Sequence, residues 1–318
     1  MTTTPSPVGR PGTDVLMNAV QIDAWGGPEQ VQLREVARPE PGPGQVLVRV
    51  KAASVNAVDR RVREGYIDGH VTLPYTGGSD FSGVVETAGE GADIAPGTPV
   101  FGALHPTSGS YAQFTVYETE NLALKPEDMS FEVAAALPVA GVTAWTAVVT
   151  DGQVQAGQRV LVQGAAGGVG HLAVQLAKQR GATVIATATP ADFDFVRSLG
   201  ADEVIDYNEP GYATSITDLD LVIDGVSSAS MAALYSAIRP GGLAISLFDP
   251  PAPAPAGIRA QIVGTAAVAA GPLRTKLEEL ARLVTHDGLR VVVSASYPLD
   301  QVAQAQEAPK RGKAVITP

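Results

Sequence analysis

"RVLVQGAAGGVGHLAVQLAKQRGATVIATATPADFDF", residues 159–195, decides the fold. Arg159 to Gln163 is an apolar run of the length of a buried strand. Gly164 then opens a turn in which Ala165 to Gly170 match G-x-G-x-x-G, with Ala at the first position. Val169, Leu172, Ala173, Leu176 and Ala177 follow at i, i+3, i+4, i+7, i+8 spacing, one apolar face of a helix. Gly181 is suited to stop that helix by taking positive φ, and Thr183 to Thr187 is β-rich. Strand, glycine turn, helix and strand are the setting this motif requires to bind a dinucleotide. The glycines let backbone N–H groups approach a pyrophosphate, and the helix N-terminus adds positive potential. Gly164, Ala165, Ala166, Gly167, Gly168 and Val169 are therefore the expected pyrophosphate contacts. A glycine-rich connector in another α/β fold is the plainer alternative, and the intact flanking pattern weighs against it.

The far end of the dinucleotide poses the difficulty. An NAD-binding unit carries Asp or Glu about 20 residues on, hydrogen-bonded to the ribose hydroxyls. Here that place reads Thr187-Ala188-Thr189. The missing acid favours NADP(H), and NAD(H) stays open, because Pro190 to Asp194 holds two acids and neither Lys nor Arg.

Composition narrows the function classes. The 318 residues suggest two domains. A formal net charge of −11 speaks against nucleic acid as a partner. There is no cysteine, and the four histidines are scattered without metal-ligand spacing, so no metal site is expected. Residues 1–16, rich in Thr, Pro and Gly, read as a disordered leader without a targeting segment. The apolar run Ile262–Ala270 is too short to span a bilayer. A cytoplasmic protein without membrane contact is expected.

Around the quoted stretch the texture changes twice. Strand-like runs at Asn18–Ile22, Val31–Glu35, Gln45–Ala53, Gly83–Ala88 and Thr98–Ala103 make the N-terminal part β-rich. From Phe131 an Ala-rich helical stretch leads into the α/β unit. Beyond it, a helix over Asp192–Leu199, strands at Glu203–Asp206 and Leu219–Asp224, a helix over Ala229–Ile238 and a strand at Leu243–Leu247 keep the alternation of a parallel sheet. The proline-rich "DPPAPAPAG", Asp249 to Gly257, follows that strand as either a stiff linker or a lid over the strand ends. A helix over Leu273–Val284 and a strand at Gly312–Ile316 close the chain.

Several blocks carry a family resemblance in order: "AASVNAVDRRVREG" (52–65), "LPYTGGSDFSGVVETAGEG" (73–91), "AAALPVAGVTAW" (134–145), "GQRVLVQGAAGGVG" (157–170) and "VRSLGADEVIDY" (196–207). With them the chain resembles the zinc-independent quinone oxidoreductases of the medium-chain dehydrogenase/reductase superfamily. The resemblance implies an α/β protein of two parts. A GroES-like β-rich catalytic domain, residues 17–137 with 272–318 returning to it, would flank a Rossmann doubly wound parallel-sheet cofactor domain, residues 138–271. It implies metal-free, NADPH-dependent reduction of a quinone or of an α,β-unsaturated carbonyl, an enone or enoyl group, as the small-molecule substrate. Zinc relatives carry Gly-His-Glu where this chain has Gly78-Ser79-Asp80.

By the same resemblance Asn56 should lie beside the nicotinamide, and Thr143 should reach the cofactor. Gly225-Val226 and Ser246-Leu247, closing later strands, should line the nicotinamide and its ribose. Thr187, Thr189 and Tyr207 remain for the adenosine end. The segment Gln261–Gly264 should form a sheet edge that invites a homodimer. Two features depart from the family. Where many relatives place a Tyr five residues after the Asn, this chain has Arg61, which leaves Tyr66 and, second, Tyr75 as candidate proton donors. Many relatives also carry a basic residue near Ala191. These losses keep a rival open: a non-redox biosynthetic enzyme or binding subunit on the same fold. Substrate choice would depend on loops at His70–Tyr75, His105–Tyr111 and Asp249–Gly257.

Overall fold

The computed structural model describes residues 11–66, 71–103, 109–264, 273–308 and 311–318. Its first part is built of β1 (Pro11–Ile22), β2 (Gln32–Pro39), β3 (Gln45–Ser54), α1 (Ala57–Arg63), β4 (Tyr75–Thr76), β5 (Asp80–Ala88), β6 (Pro99–Ala103), β7 (Phe114–Glu118) and β8 (Ala123–Leu124). β1 starts at Pro11, earlier than the expected Met17, because residues from Pro11 pair antiparallel with β2 across an irregularity. The stretch 11–16 is thus strand rather than leader; residues 1–10 lie outside the described residues, as do residues 70 and 105–108, named above for substrate choice. β3 is the hub of this part. It buries Val46, Val48 and Val50 in one apolar cluster with Phe81, Val85, Val100 and Tyr111, and pairs with both β5 and β7.

Two short helices, α2 (Phe131–Ala136) and α3 (Pro138–Trp145), carry the chain across to the second part. Ser130 caps α2 by accepting from Val133 N, and Pro138 stands in the first turn of α3, where its missing N–H costs nothing. β9 (Arg159–Gln163), α4 (Gly170–Gln179), β10 (Thr183–Ala188), α5 (Phe193–Ser198), β11 (Glu203–Asp206), β12 (Leu219–Asp224), α6 (Ser228–Leu234), β13 (Ile238–Ser246) and β14 (Arg259–Ile262) follow. The sheet order is β11-β10-β9-β12-β13-β14, all parallel. This is the doubly wound order in which the first strand sits beside the reversal point. β12 is buried along almost its whole length, as a parallel strand covered on both faces must be.

The C-terminal return then ties the two parts. The helix Leu273–His286 buries Leu273, Leu277 and Leu280 in the same cluster as Val160, Val162 and Phe101. β15 (Val293–Pro298) pairs parallel with β16 (Lys313–Thr317), and β16 lies antiparallel against β3 with Val315 opposite Ser54. That register brings Lys313 beside Asn56. No helix among the described residues is long and apolar enough to cross a membrane.

Candidate functional site

The glycine turn sits at the C-terminal ends of β9 and β12, where open α/β sheets bind ligands. A Cβ on Gly170 would lie 2.2 Å from the Gly164 carbonyl oxygen, so only glycine lets α4 start this close to the strand. Thr187 braces the turn from below. It is fully buried, its carbonyl accepts from Ala165 N at 3.2 Å, and its hydroxyl accepts from Gly164 N at 3.4 Å. Its hydroxyl and carbonyl thus both serve the glycine turn. Thr189 and the exposed Tyr207 lie past the adjacent ends of β10 and β11. Gly225 and Val226 follow β12, with Val226 Cγ2 3.6 Å from the position of a Gly164 Cβ. Ser246 and Leu247 close β13 beside them, and Leu247 N donates to Asp224 O at 2.9 Å. The expected cofactor residues after β9, β12 and β13 thus share one crevice at neighbouring strand ends.

Across from this crevice stands Asn56, between β3 and α1 at the N-cap of the helix. Its Nδ2 donates to Asp80 Oδ2 at 2.9 Å, and its Oδ1 accepts from Lys313 Nζ at 2.5 Å. An ammonium only donates and a carboxylate only accepts, so the partners fix which way the carboxamide points. One N–H of Nδ2 is left over, and the residue stays 8% exposed. Asp80 is wholly buried and also accepts from Ser54 Oγ at 2.7 Å and Val139 N at 2.9 Å. Burial pushes its pKa up; Lys313 and these donors pull it back. Burial in turn pushes the Lys313 ammonium pKa down, opposed by Asp80 and Asp59. Asp59 completes the network: it accepts from Ser79 Oγ at 2.6 Å, Asn56 N at 2.7 Å and the Tyr111 hydroxyl at 2.9 Å. Burial raises its pKa as well.

Thr143 lies one turn after Val139 in α3, whose first-turn Val139 N–H donates to Asp80. Tyr66 is 64% exposed and holds the Arg61 guanidinium 5.2 Å above its ring. Arg61 itself crosses the cleft to an ion pair with Asp249 and a 3.5 Å hydrogen bond to Phe248 O, at the start of the proline-rich loop. Tyr66 therefore stands at the cleft mouth. Tyr75 does not: it is buried among Ile22 and Val62, and burial raises its pKa, which makes it a core residue rather than a proton donor.

Sequence reasoning passed over the turn Arg311-Gly312-Lys313. Arg311 pairs with Asp192, just past the end of β10. Gly312 N donates to Ala166 O at 2.8 Å, and Lys313 Cδ lies 3.0 Å from the position of a Gly168 Cβ. Three consecutive residues thus run along the crevice from β10 to Asn56. Nothing in local spacing signals this, since their partners are more than 100 residues away in the chain.

His171, in the first turn of α4, links the same parts. It is buried, its Nδ1 donates to Gly167 O at 3.0 Å and its Nε2 accepts from Val292 N at 3.2 Å. Burial pulls its pKa down to about 4 from 6.5. Between those values the unfolded chain takes up a proton that the folded chain refuses, so stability falls as pH drops from about 6.5 to about 4. The expected loss from this group is about 3 kcal/mol. Urea titrations of wild type and His171→Gln across that window should show a flatter pH dependence in the variant; parallel curves would refute the assignment.

Comparison with known proteins agrees with this geometry. Residues 42–127 match the alcohol dehydrogenase GroES-like domain family, and residues 199–315 match a family described as zinc-binding dehydrogenase. The chain is 31% identical over 309 residues to a quinone oxidoreductase of Sus scrofa, covering 92% of this chain and 93% of that one. It is 35% identical over 239 residues to the quinone oxidoreductase of Homo sapiens, 72% of each. Among solved structures, the quinone oxidoreductase of Coxiella burnetii superposes with a TM-score of 0.86 at 31% identity, covering 96% of this chain and 100% of that one. That of Pseudomonas syringae gives 0.86 at 29%, covering 95% and 100%. The zinc of the second family's description finds no thiolate here, because the chain has no cysteine, and no group of three or more His, Asp or Glu gathers among the described residues. The chain is an oxidoreductase of the medium-chain dehydrogenase/reductase superfamily and belongs to its zinc-independent quinone oxidoreductase-type family.

Proposed function

We propose that the protein uses NADPH to reduce a quinone or an α,β-unsaturated carbonyl, with no metal to polarise the carbonyl. The observation that carries this is the Asn56 carboxamide, oriented between Lys313 and Asp80 with one N–H left over beside the glycine crevice. Bound in that crevice, the nicotinamide supplies the hydride. As charge develops on the substrate's carbonyl oxygen, the remaining Asn56 N–H is placed to donate to it. It is pre-organised, because both of its partners are buried and fixed. Tyr66 or a water at the cleft mouth then delivers the proton. Gly164, Gly167 and Gly168 hold the pyrophosphate, and Gly225, Val226, Ser246 and Leu247 line the nicotinamide side.

The rival non-redox reading drew on a missing basic residue near Ala191 and on the Tyr replaced by Arg61; Arg311, paired with Asp192, bears on the first of these and leaves the second. Purified protein should consume NADPH in a panel of quinones and conjugated enones, with one equivalent of reduced product formed. If neither reduced cofactor binds in a fluorescence titration, the proposal is wrong. β14 also supports a homodimer. It pairs with β13 on one side, and among the described residues no strand covers its outer edge.

A further inference from the structure

The acid that follows the ribose-side strand is already engaged. Asp192 Oδ1 accepts from Arg311 Nε at 2.7 Å, with Nη2 at 2.6 Å from the same oxygen. Its other oxygen accepts from Thr189 Oγ1 at 3.2 Å. The guanidinium is held from two more directions: Nη2 donates to Ala191 O at 3.0 Å, and the group lies 5.3 Å from the centre of the Phe195 ring. The backbone behind it is equally constrained. Gly312 has φ +67°, a Cβ there would come 2.3 Å from Val292 O, and its N–H is fixed to Ala166. Yet 48% of the Arg311 side chain remains exposed.

We propose that Arg311 is the residue that selects NADPH over NADH. This rests on the NADPH-dependent function proposed above. The end of β10 is where a Rossmann unit holds the adenosine ribose. A guanidinium already oriented there, with Nη1 outside its contacts to Asp192 and Ala191, matches a phosphate on the 2′ oxygen through charge-assisted donation. The same pairing acts against NADH. Asp192 has the position to accept from free ribose hydroxyls, but Arg311 and Thr189 occupy both of its oxygens. Arg311 therefore attracts one cofactor and withholds from the other its acceptor.

Calorimetric titration of full-length wild type, Arg311→Ala and Arg311→Lys with NADPH, NADH and adenosine 2′,5′-bisphosphate tests this. Arg311→Ala should weaken NADPH and the bisphosphate by about ten- to hundredfold, and leave NADH unchanged or tighter because Asp192 is released. Arg311→Lys should keep part of the NADPH preference, since it keeps the charge without the planar group that Asp192 and Ala191 orient. Added salt should weaken NADPH in wild type and much less in Arg311→Ala. Equal losses for NADPH and NADH, or no loss for the bisphosphate, would overturn the assignment while leaving the reductase function standing. Wild type that binds neither dinucleotide would overturn both. Asp192→Asn, which unmasks Arg311 without removing it, should tighten NADPH severalfold; weakening instead would also refute the proposal.

Discussion

Asn56→Ala is expected to lower kcat by about 10²–10³-fold, the usual consequence of removing one pre-organised donor to a developing oxyanion. KM for NADPH should change little, because the proposed pyrophosphate and ribose contacts lie on the other side of the crevice. The variant should still fold. Lys313 keeps Val55 O as an acceptor at 3.1 Å, and Asp80 keeps Ser54 and Val139 as donors. The stability cost is that of two hydrogen bonds to charged partners, about 1.5–3 kcal/mol each. Asn56→Asp separates donation from mere occupancy. It is close in shape, but its carboxylate cannot donate and faces Asp80, so its kcat should fall at least as far as that of the alanine variant. Steady-state kinetics on both variants decides the matter. A loss below fivefold in kcat, or a loss confined to KM for NADPH, would remove Asn56 from the reacting centre.

Asn56 entered through resemblance, and its surroundings show why local sequence could say no more. The cofactor half was legible because its logic is local. Val160, Val162 and the glycine turn, then the apolar face of α4, are neighbours in sequence and in space. The strands Glu203–Asp206 and Leu219–Asp224 fall where alternation placed them. The next strand begins at Ile238, earlier than the expected Leu243, because Pro240 to Gly242 are accommodated within it. β14 likewise runs Arg259–Ile262, two residues before the expected edge. The short strands Phe114–Glu118 and Ala123–Leu124 escaped notice because pairing with longer strands, not their own pattern, sustains them. The charged parts of the site were hidden for a topological reason. A search for a cation near Ala191 looks along the chain, whereas Arg311 arrives from a strand that returns to another sheet. Thr187 illustrates the same point, since its place in sequence suits a ribose contact and only burial beneath the glycine turn reveals its bracing task.

Lys313→Met should cost about 3–5 kcal/mol of folding stability, the range for breaking a buried pair by removing one partner. The methionine fills the space of the lysine stem, so the loss measures the charge and its hydrogen bonds more than a cavity. What remains is Asp80, wholly buried, without the ammonium that now stands 3.9 Å away. The sign of the pH effect follows. Burial already raises the Asp80 pKa, and without Lys313 it rises further above its unfolded value. A carboxyl of that kind penalises the fold where it is ionised and ceases to do so once protonated. The stability deficit of Lys313→Met relative to wild type should therefore be largest near neutral pH and shrink as pH falls through the raised Asp80 value. Adding Asp80→Asn removes the orphaned charge, so the double variant should be more stable than the sum of the two single losses allows. Urea unfolding of all four proteins at two pH values measures this coupling. Strict additivity, or a deficit that grows on acidification, would show that Lys313 and Asp80 do not act as a pair. Even where the double variant recovers stability, its kcat should stay low, because neither a methionine at 313 nor an asparagine at 80 can dictate which way the Asn56 carboxamide points.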